Sequence, residues 1–133
     1  MYSNILTLQS NPIQISKLED LTAKIISRFD LNPDKYAAIL ICLTEAVSNA
    51  IVHGNQYDKS KKVLINVSTN DPLISLQVCD EGAGFDFTQL PDPTIPENIE
   101  APRGRGIFVI KALCDACNFQ DSGNKIEMDF KRI

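Results

Sequence analysis

The sequence predicts an α+β fold in two layers, a mostly antiparallel sheet covered on one face by helices. Three observations lead there. Three segments carry apolar residues at helical spacing, and the first two follow one another directly. Two strand-like runs flank Asn70–Asp71–Pro72, a turn signal that makes them a hairpin. A second pair of short runs closes the chain around Ser122–Gly123–Asn124. The order is strand, helix, helix, strand, strand, irregular segment, helix, strand, strand.

Residues 2–8 (Tyr2 to Leu8) read as a first strand. Asn11–Pro12 is a cap followed by proline, and Ile15, Leu18, Leu21, Ile25, Ile26 and Phe29 follow at helical spacing, with Lys17, Lys24 and Arg28 on the opposite side. The same cap-plus-proline start recurs at Asn32–Pro33. At ~100° per residue, Tyr36, Ile39, Leu40, Leu43, Ala46, Val47, Ala50 and Ile51 form one apolar stripe. Cys42, Glu45, Asn49 and His53 fall beside it within an arc of roughly 80°. Gly54–Asn55 is expected to end this helix, glycine being usual just past a last turn. Taken alone, Glu45 and Asn49 fit the polar side of any amphipathic helix.

Val63 to Ser68 is a strand, and Ile74, Leu76 and Val78 alternate inward on its partner. Continuing that period puts Asp80 on the apolar face. A carboxylate there either serves a nearby turn or helix end, or meets a ligand with hydrogen-bond donors. Asp80–Glu81–Gly82–Ala83–Gly84 forms a turn that lets a ligand approach the backbone. From Asp86 to Pro102 periodicity is lost and four of the seven prolines gather, the pattern of a lid or a disordered segment. Arg103–Gly104–Arg105–Gly106 leads into a final helix carrying Ile107, Phe108, Ile110, Leu113, Cys114 and Cys117. Phe119–Gln120 and Lys125 to Arg132 close the sheet, with Ile126, Met128 and Phe130 inward.

Composition narrows the function. With 133 residues, 44% hydrophobic and 23% charged, the chain is one domain of ordinary globular type. A net charge of −4 argues against a nucleic-acid binder. No apolar run approaches a membrane span and no signal peptide opens the chain, so a cytoplasmic protein is expected. Cys42, Cys79, Cys114 and Cys117 read as free thiols in a reducing compartment. Cys114 and Cys117 have CxxC spacing, but a zinc site needs further ligands and the chain has one His. A redox pair belongs at a strand-to-helix junction, whereas this pair is expected late in a helix.

Three signals remain: Glu-(x)3-Asn on a helix, Asp-x-Gly-x-Gly at a strand end, and Arg-Gly-x-Gly opening a helix after the irregular segment. The last is no Walker loop, since the Lys–Ser/Thr ending is absent. In this order the three resemble the N, G1 and G2 boxes of the GHKL ATPases. Glu45 to Gly54 and Arg103 to Ile107 resemble, within that superfamily, the stand-alone bacterial anti-sigma-factor serine kinases.

That resemblance implies a Bergerat-type ATP-binding fold over residues 1–133, with a nucleotide lid at about 86–103. It implies ATP and Mg²⁺ as cofactors. Asn49 would hold Mg²⁺ through its side-chain oxygen, as a hard cation requires. Asp80 would accept from the adenine amine, and Gly82 and Gly84 would let the backbone pass under the base. Gly104, Arg105, Gly106 and Ile107 would cradle the phosphates, and Arg103 or Arg105 would neutralise the γ-phosphate. Glu45 would be the general base. His53 reads as structural.

The resemblance further implies a serine/threonine protein kinase that phosphorylates a small antagonist protein and sequesters a sigma factor. The first helix would provide the dimer and sigma-facing surface. Two alternatives stay open: an ATP-dependent binding switch that does not phosphorylate, and a kinase whose pathway has a non-sigma target.

Overall fold

The computed structural model describes residues 3–9, 17–82, 102–120 and 124–132. The strands are β1 (Ser3–Gln9), β2 (Lys62–Asn70), β3 (Leu73–Cys79), β4 (Ala116–Gln120) and β5 (Lys125–Lys131). The helices are α1 (Lys17–Arg28), α2 (Lys35–Asn49) and α3 (Pro102–Leu113), and a π-helical turn, Ala50–Gly54, extends α2 without a break. The α+β order read from the sequence is the one observed.

The sheet order is β1-β2-β3-β5-β4, every neighbouring pair being antiparallel. In the β2–β3 hairpin Asn70 pairs with Leu73, so Asp71 and Pro72 alone make the turn, across a cis peptide bond. The pairing of β3 with β5 joins segments far apart in the chain. Cys79 pairs with Lys125, and the Asp80 N–H donates to the Asn124 carbonyl at 2.9 Å. The exit of β3 and the entrance of β5 therefore form one corner.

One face of the sheet is the core. Val63, Ile65 and Val67, then Ile74, Leu76 and Val78, then Ile126, Met128 and Phe130 point inward with period two. They meet Leu18, Leu21 and Ile25 of α1, Ile39, Leu43 and Val47 of α2, and Ile110 of α3. Thr22, buried on α1, returns its hydroxyl to the Leu18 carbonyl at 2.7 Å. The other face is polar and cross-linked. Asn66 donates to Gln77, while Gln77 and Gln120 both donate to Glu127. That pattern suits an antiparallel sheet with one wet side.

Four expectations need correction. Asn32 and Pro33 do not start α2: the Asn32 Oδ1 accepts from the Asp34 N–H at 2.9 Å in a turn before the helix, Asp34 is the N-cap without a side-chain bond, and regular helix begins at Lys35. The final helix starts earlier and stops sooner than its apolar spacing implied: Pro102 opens α3, so Arg103–Gly104–Arg105–Gly106 lies within its first turns. Cys114 and Cys117 then fall at a helix-to-strand corner, Cys117 inside β4, not late in a helix. Finally, α2 with its π turn runs 20 residues, Lys35–Gly54, at mean hydropathy 1.5, long and apolar enough by composition to cross a membrane. Its apolar side packs into the core, which accounts for that hydropathy without a bilayer. The expected lid falls on residues outside those described, apart from the start of α3.

Candidate functional site

The core helix projects its polar pair towards the third helix. Glu45 and Asn49 are half-buried, one turn apart on α2. What lies over them is Gly106. A β-carbon built there would stand 2.9 Å from Glu45 Oε2 and 3.2 Å from Asn49 Nδ2. Glycine lets the α3 backbone descend onto a carboxylate and a carboxamide at once. Lower on the same seam, the Cys42 Sγ lies 3.9 Å from the Ile110 carbonyl oxygen, so α2 and α3 are packed along their length.

Asp80 defines the other end. It follows β3, and its Oδ1 accepts from the Gly82 N–H at 2.8 Å, closing a tight turn. Two glycines abut it. A β-carbon on Gly54 would overlap the Asp80 carboxyl group, and one on Gly82 would overlap the Gly54 carbonyl. Gly54 is thus not a left-handed cap; it is the last residue of the π turn, and its lack of a side chain makes room for Asp80. The left-handed angles occur just beyond, at Gln56 (φ 51°) and Tyr57 (φ 60°).

Between these ends lies a small pocket lined by Ala46, Asn49, Ala50, Val78, Asp80, Ile107, Phe119, Asn124, Lys125 and Ile126. Its walls are small or apolar, and its polar groups converge from α2, the β3 exit and the β5 entrance. One of those polar atoms, Asn124 Oδ1, is buried without a hydrogen-bond partner. The residues present suit a flat heteroaromatic base with donor groups at the Asp80 end and an anionic tail towards α3.

Of the expected site residues, Glu45, Asn49, Asp80, Gly82, Gly106 and Ile107 are therefore brought together on one side of the sheet. The backbone of Gly104 lies in the first turns of α3. Gly84 and the side chains of Arg103 and Arg105 lie outside the described residues. His53 is half-buried within the π turn, where the spacing that would stack it above Asn49 is broken.

Two residues escaped the sequence reading. Asn55, only 1% exposed, donates to the Lys62 carbonyl at 3.0 Å and accepts from the Glu81 N–H at 2.8 Å. It ties the end of the helix to the start of β2 and to the Asp80 turn. Asn124 reads in sequence as a turn residue; only the pairing of β3 with β5 turns it towards Asp80.

Thiol electrostatics along the seam follow burial. Burial, with smaller contributions from Cys114 and Glu45, pushes the Cys42 thiol up to about 12. The Cys117 thiol donates a hydrogen bond to Cys114, which holds Cys114 below the usual thiol range and raises Cys117 above it. No group of three or more metal-ligating His, Cys, Asp or Glu side chains occurs among the described residues.

Comparison with known proteins agrees with this architecture. The anti-sigma F factor of Clostridium perfringens is 32% identical over 111 residues, covering 80% of this chain and 79% of the relative. That of Bacillus subtilis is 29% identical over 102 residues, covering 75% and 70%. A crystal structure of the RsbU and RsbW domains of a Mycobacterium tuberculosis protein superposes with a TM-score of 0.67 over 98% of this chain, at 13% identity, and this chain spans 32% of it. That likeness concerns the fold. The GHKL resemblance carried by the three motifs is borne out: over residues 8–130 the sequence matches the histidine kinase-like ATPase domain, and the chain belongs to that family.

Proposed function

We propose that this protein is a Mg-ATP-dependent serine/threonine kinase that phosphorylates a small antagonist protein and, when not engaged by it, sequesters a sigma factor. The observation that carries the proposal is the seating of Gly106 on both Glu45 and Asn49, one turn apart, with Asp80 closing the far end of the same pocket. This seating supports reading the three as a base, a cation ligand and an acceptor for the purine along one extended ligand. The family supports ATP as that ligand. The names of the relatives, anti-sigma F factors, support the sigma-binding half.

Each residue has a definite task in this reading. Asp80 accepts from the exocyclic amine of the purine, while Ala46, Ala50, Val78 and Ile126 exclude water around it. Gly106 and its neighbours present backbone N–H groups of the α3 start to the phosphates. Asn49 supplies a neutral oxygen for Mg²⁺, which when bound offsets phosphate charge. Glu45 Oε2 takes the proton of the incoming hydroxyl. Arg103 and Arg105, on the first turn of α3, are the cations for the γ-phosphate. The exposed Lys17, Lys24 and Arg28 of α1 form the protein-facing and self-association surface. Cytoplasmic location follows from such partners.

The decisive experiment mixes the protein with Mg-ATP and a small antagonist-type protein from the same organism, then weighs the antagonist. A gain of one phosphate that disappears in Glu45→Gln supports the kinase. No gain, with Mg-ATP binding intact and abolished by Asn49→Ala or Asp80→Asn, favours a binding switch. Unaltered nucleotide binding in both variants overturns the site.

A further inference from the structure

Cys114 and Cys117 meet across a corner of the fold. α3 ends at Leu113 and β4 begins at Ala116, so the two cysteines stand on either side of the turn that joins helix to strand. Asp115 pins that turn to β5: its N–H donates to the Asp129 carbonyl at 2.9 Å, and its Oδ2 accepts from the Lys131 N–H at 2.8 Å. The helix side is held by the Cys114 N–H on the Ile110 carbonyl, also at 2.9 Å. Within this frame the Cys117 thiol donates to the Cys114 sulfur, which also accepts from the Ala116 N–H. Both thiols are free and half-buried, with exposed Asp115 and Ala116 between them, so a small reagent can reach them. Cys42, by contrast, is buried against the Ile110 carbonyl. A helix N-terminus commonly activates the attacking thiol of a CxxC pair. Here the pair lies at the other end of a helix, where the dipole opposes an anion. The two hydrogen bonds to Cys114 supply what the dipole does not, and they hold its thiol below the usual range.

We propose that Cys114 and Cys117 are a thiol–disulfide exchange site that takes a low-molecular-weight disulfide as its oxidant, Cys114 attacking and Cys117 resolving. Cys114, as thiolate, attacks one sulfur of the small disulfide. A bond forms to Cys114 Sγ, the small S–S bond breaks, and one small thiolate leaves and takes up a proton. Cys117 then gives its proton to solvent and attacks Cys114 Sγ, expelling the second small thiol. In sum two protein thiols lose two electrons and two protons, and one small disulfide becomes two thiols. The bridge joins the end of α3 to the start of β4, the elements that carry Ile107 and Phe119 into the pocket wall. The exchange chemistry does not depend on what that pocket binds.

The test incubates the reduced, folded protein with oxidised glutathione, followed by tryptic mapping without reduction. Both cysteines fall in one tryptic peptide, residues 112–125, so a bridge appears as that peptide lighter by two hydrogens. Wild type is expected to form it, to recover both thiols on adding dithiothreitol, and to keep its Tm or raise it when oxidised. Cys117→Ser should stop at a glutathione adduct on Cys114, since nothing resolves it. Cys114→Ser should react at Cys117 about tenfold more slowly than Cys117→Ser reacts at Cys114. A wild-type protein that stops at the adduct, or that forms the bridge only in urea, overturns the proposal. So does an oxidised protein of lower Tm, which would mean that the fold must give way to make the bond. Equal rates in the two variants overturn the assignment of Cys114 as the attacking thiol.

Discussion

Gly54 and Asp80 are in direct contact, across 26 residues of chain: a β-carbon on the glycine would overlap the aspartate carboxyl group. The carboxylate cannot simply retreat, since its Oδ1 holds the Gly82 N–H at 2.8 Å and its backbone N–H is bonded to Asn124. Gly54→Ala is therefore expected to displace Asp80 and to cost about 1–3 kcal/mol in folding, as overpacking does. Nucleotide affinity should fall at least about tenfold, or ~1.4 kcal/mol. Titration with a fluorescent ATP analogue and urea unfolding measure the two effects. Wild-type affinity in the variant would show that Asp80 does not hold the base.

Gly106 makes the opposite prediction for stability. The nearest atoms to its virtual β-carbon are the ends of the Glu45 and Asn49 side chains, at 2.9 and 3.2 Å, and these can give way. Gly106 also lies inside α3, where alanine is favoured by up to about 1 kcal/mol. Gly106→Ala should leave Tm unchanged or raised. Phosphoryl transfer should drop at least about tenfold, because Glu45 is pushed from the position over which α3 settles. By contrast, Gly82→Ala meets the Gly54 backbone carbonyl, which cannot swing aside, and is expected to lower Tm. Equal thermal shifts in the two variants would refute the distinction.

Which parts of this arrangement the sequence made legible depends on the range of the forces involved. The helices and hairpins were readable because apolar periodicity is local: Ile74, Leu76 and Val78 alternate, so the period alone places Asp80 on the pocket side. Glu45 and Asn49 were readable as a pair because four residues make about one turn. The π turn at Ala50–Gly54 was not, since nothing in Ala-Ile-Val-His-Gly distinguishes it from another helical turn. The reason for Gly54 was hidden for the same cause. It depends on Asp80, a neighbour only in space. The start of α3 was misplaced because Gly104 and Gly106 disfavour helix, while Pro102 at the first position and packing against α2 outweigh them.

The thiols predict a pH dependence. Cys42 titrates at about 12 in the folded protein against 9.0 as a free thiol, so the unfolded chain gives up that proton first. The contribution to stability is complete below pH 9.0 and is lost as pH rises from there towards 12. Cys42→Ala should flatten that part of the alkaline stability curve. Brief alkylation at pH 8 should modify Cys114 before Cys117 and Cys42, since Cys117 stabilises the Cys114 thiolate while the other two thiols are raised. Peptide mapping by mass spectrometry reads the order. Cys42 reacting first would contradict its burial.

Asn55 offers the sharpest test of how the site is held, because it touches the three elements that meet there without lining the pocket. Its carboxamide is engaged at both ends: Nδ2 donates to the Lys62 carbonyl at 3.0 Å and Oδ1 accepts from the Glu81 N–H at 2.8 Å. Asn55→Ala removes the partner of both part-buried backbone groups, at about 1–2 kcal/mol each, for an expected total of about 2–4 kcal/mol. The loosened turn carries Asp80, so nucleotide affinity should fall with it, and amide exchange at Glu81 should quicken. Asn55→Asp separates the two bonds. The introduced carboxyl keeps an acceptor for Glu81 but, when ionised, sets its second oxygen against the Lys62 carbonyl. Burial and that repulsion raise its folded pKa, so the variant gains stability as pH falls through that value and the protonated oxygen donates to Lys62. Urea unfolding at pH 5 and pH 8 should therefore show Asn55→Asp approaching wild type only at the lower pH, whereas Asn55→Ala stays equally impaired at both. A pH-independent Asn55→Asp defect would mean that the Lys62 bond contributes nothing to holding the turn.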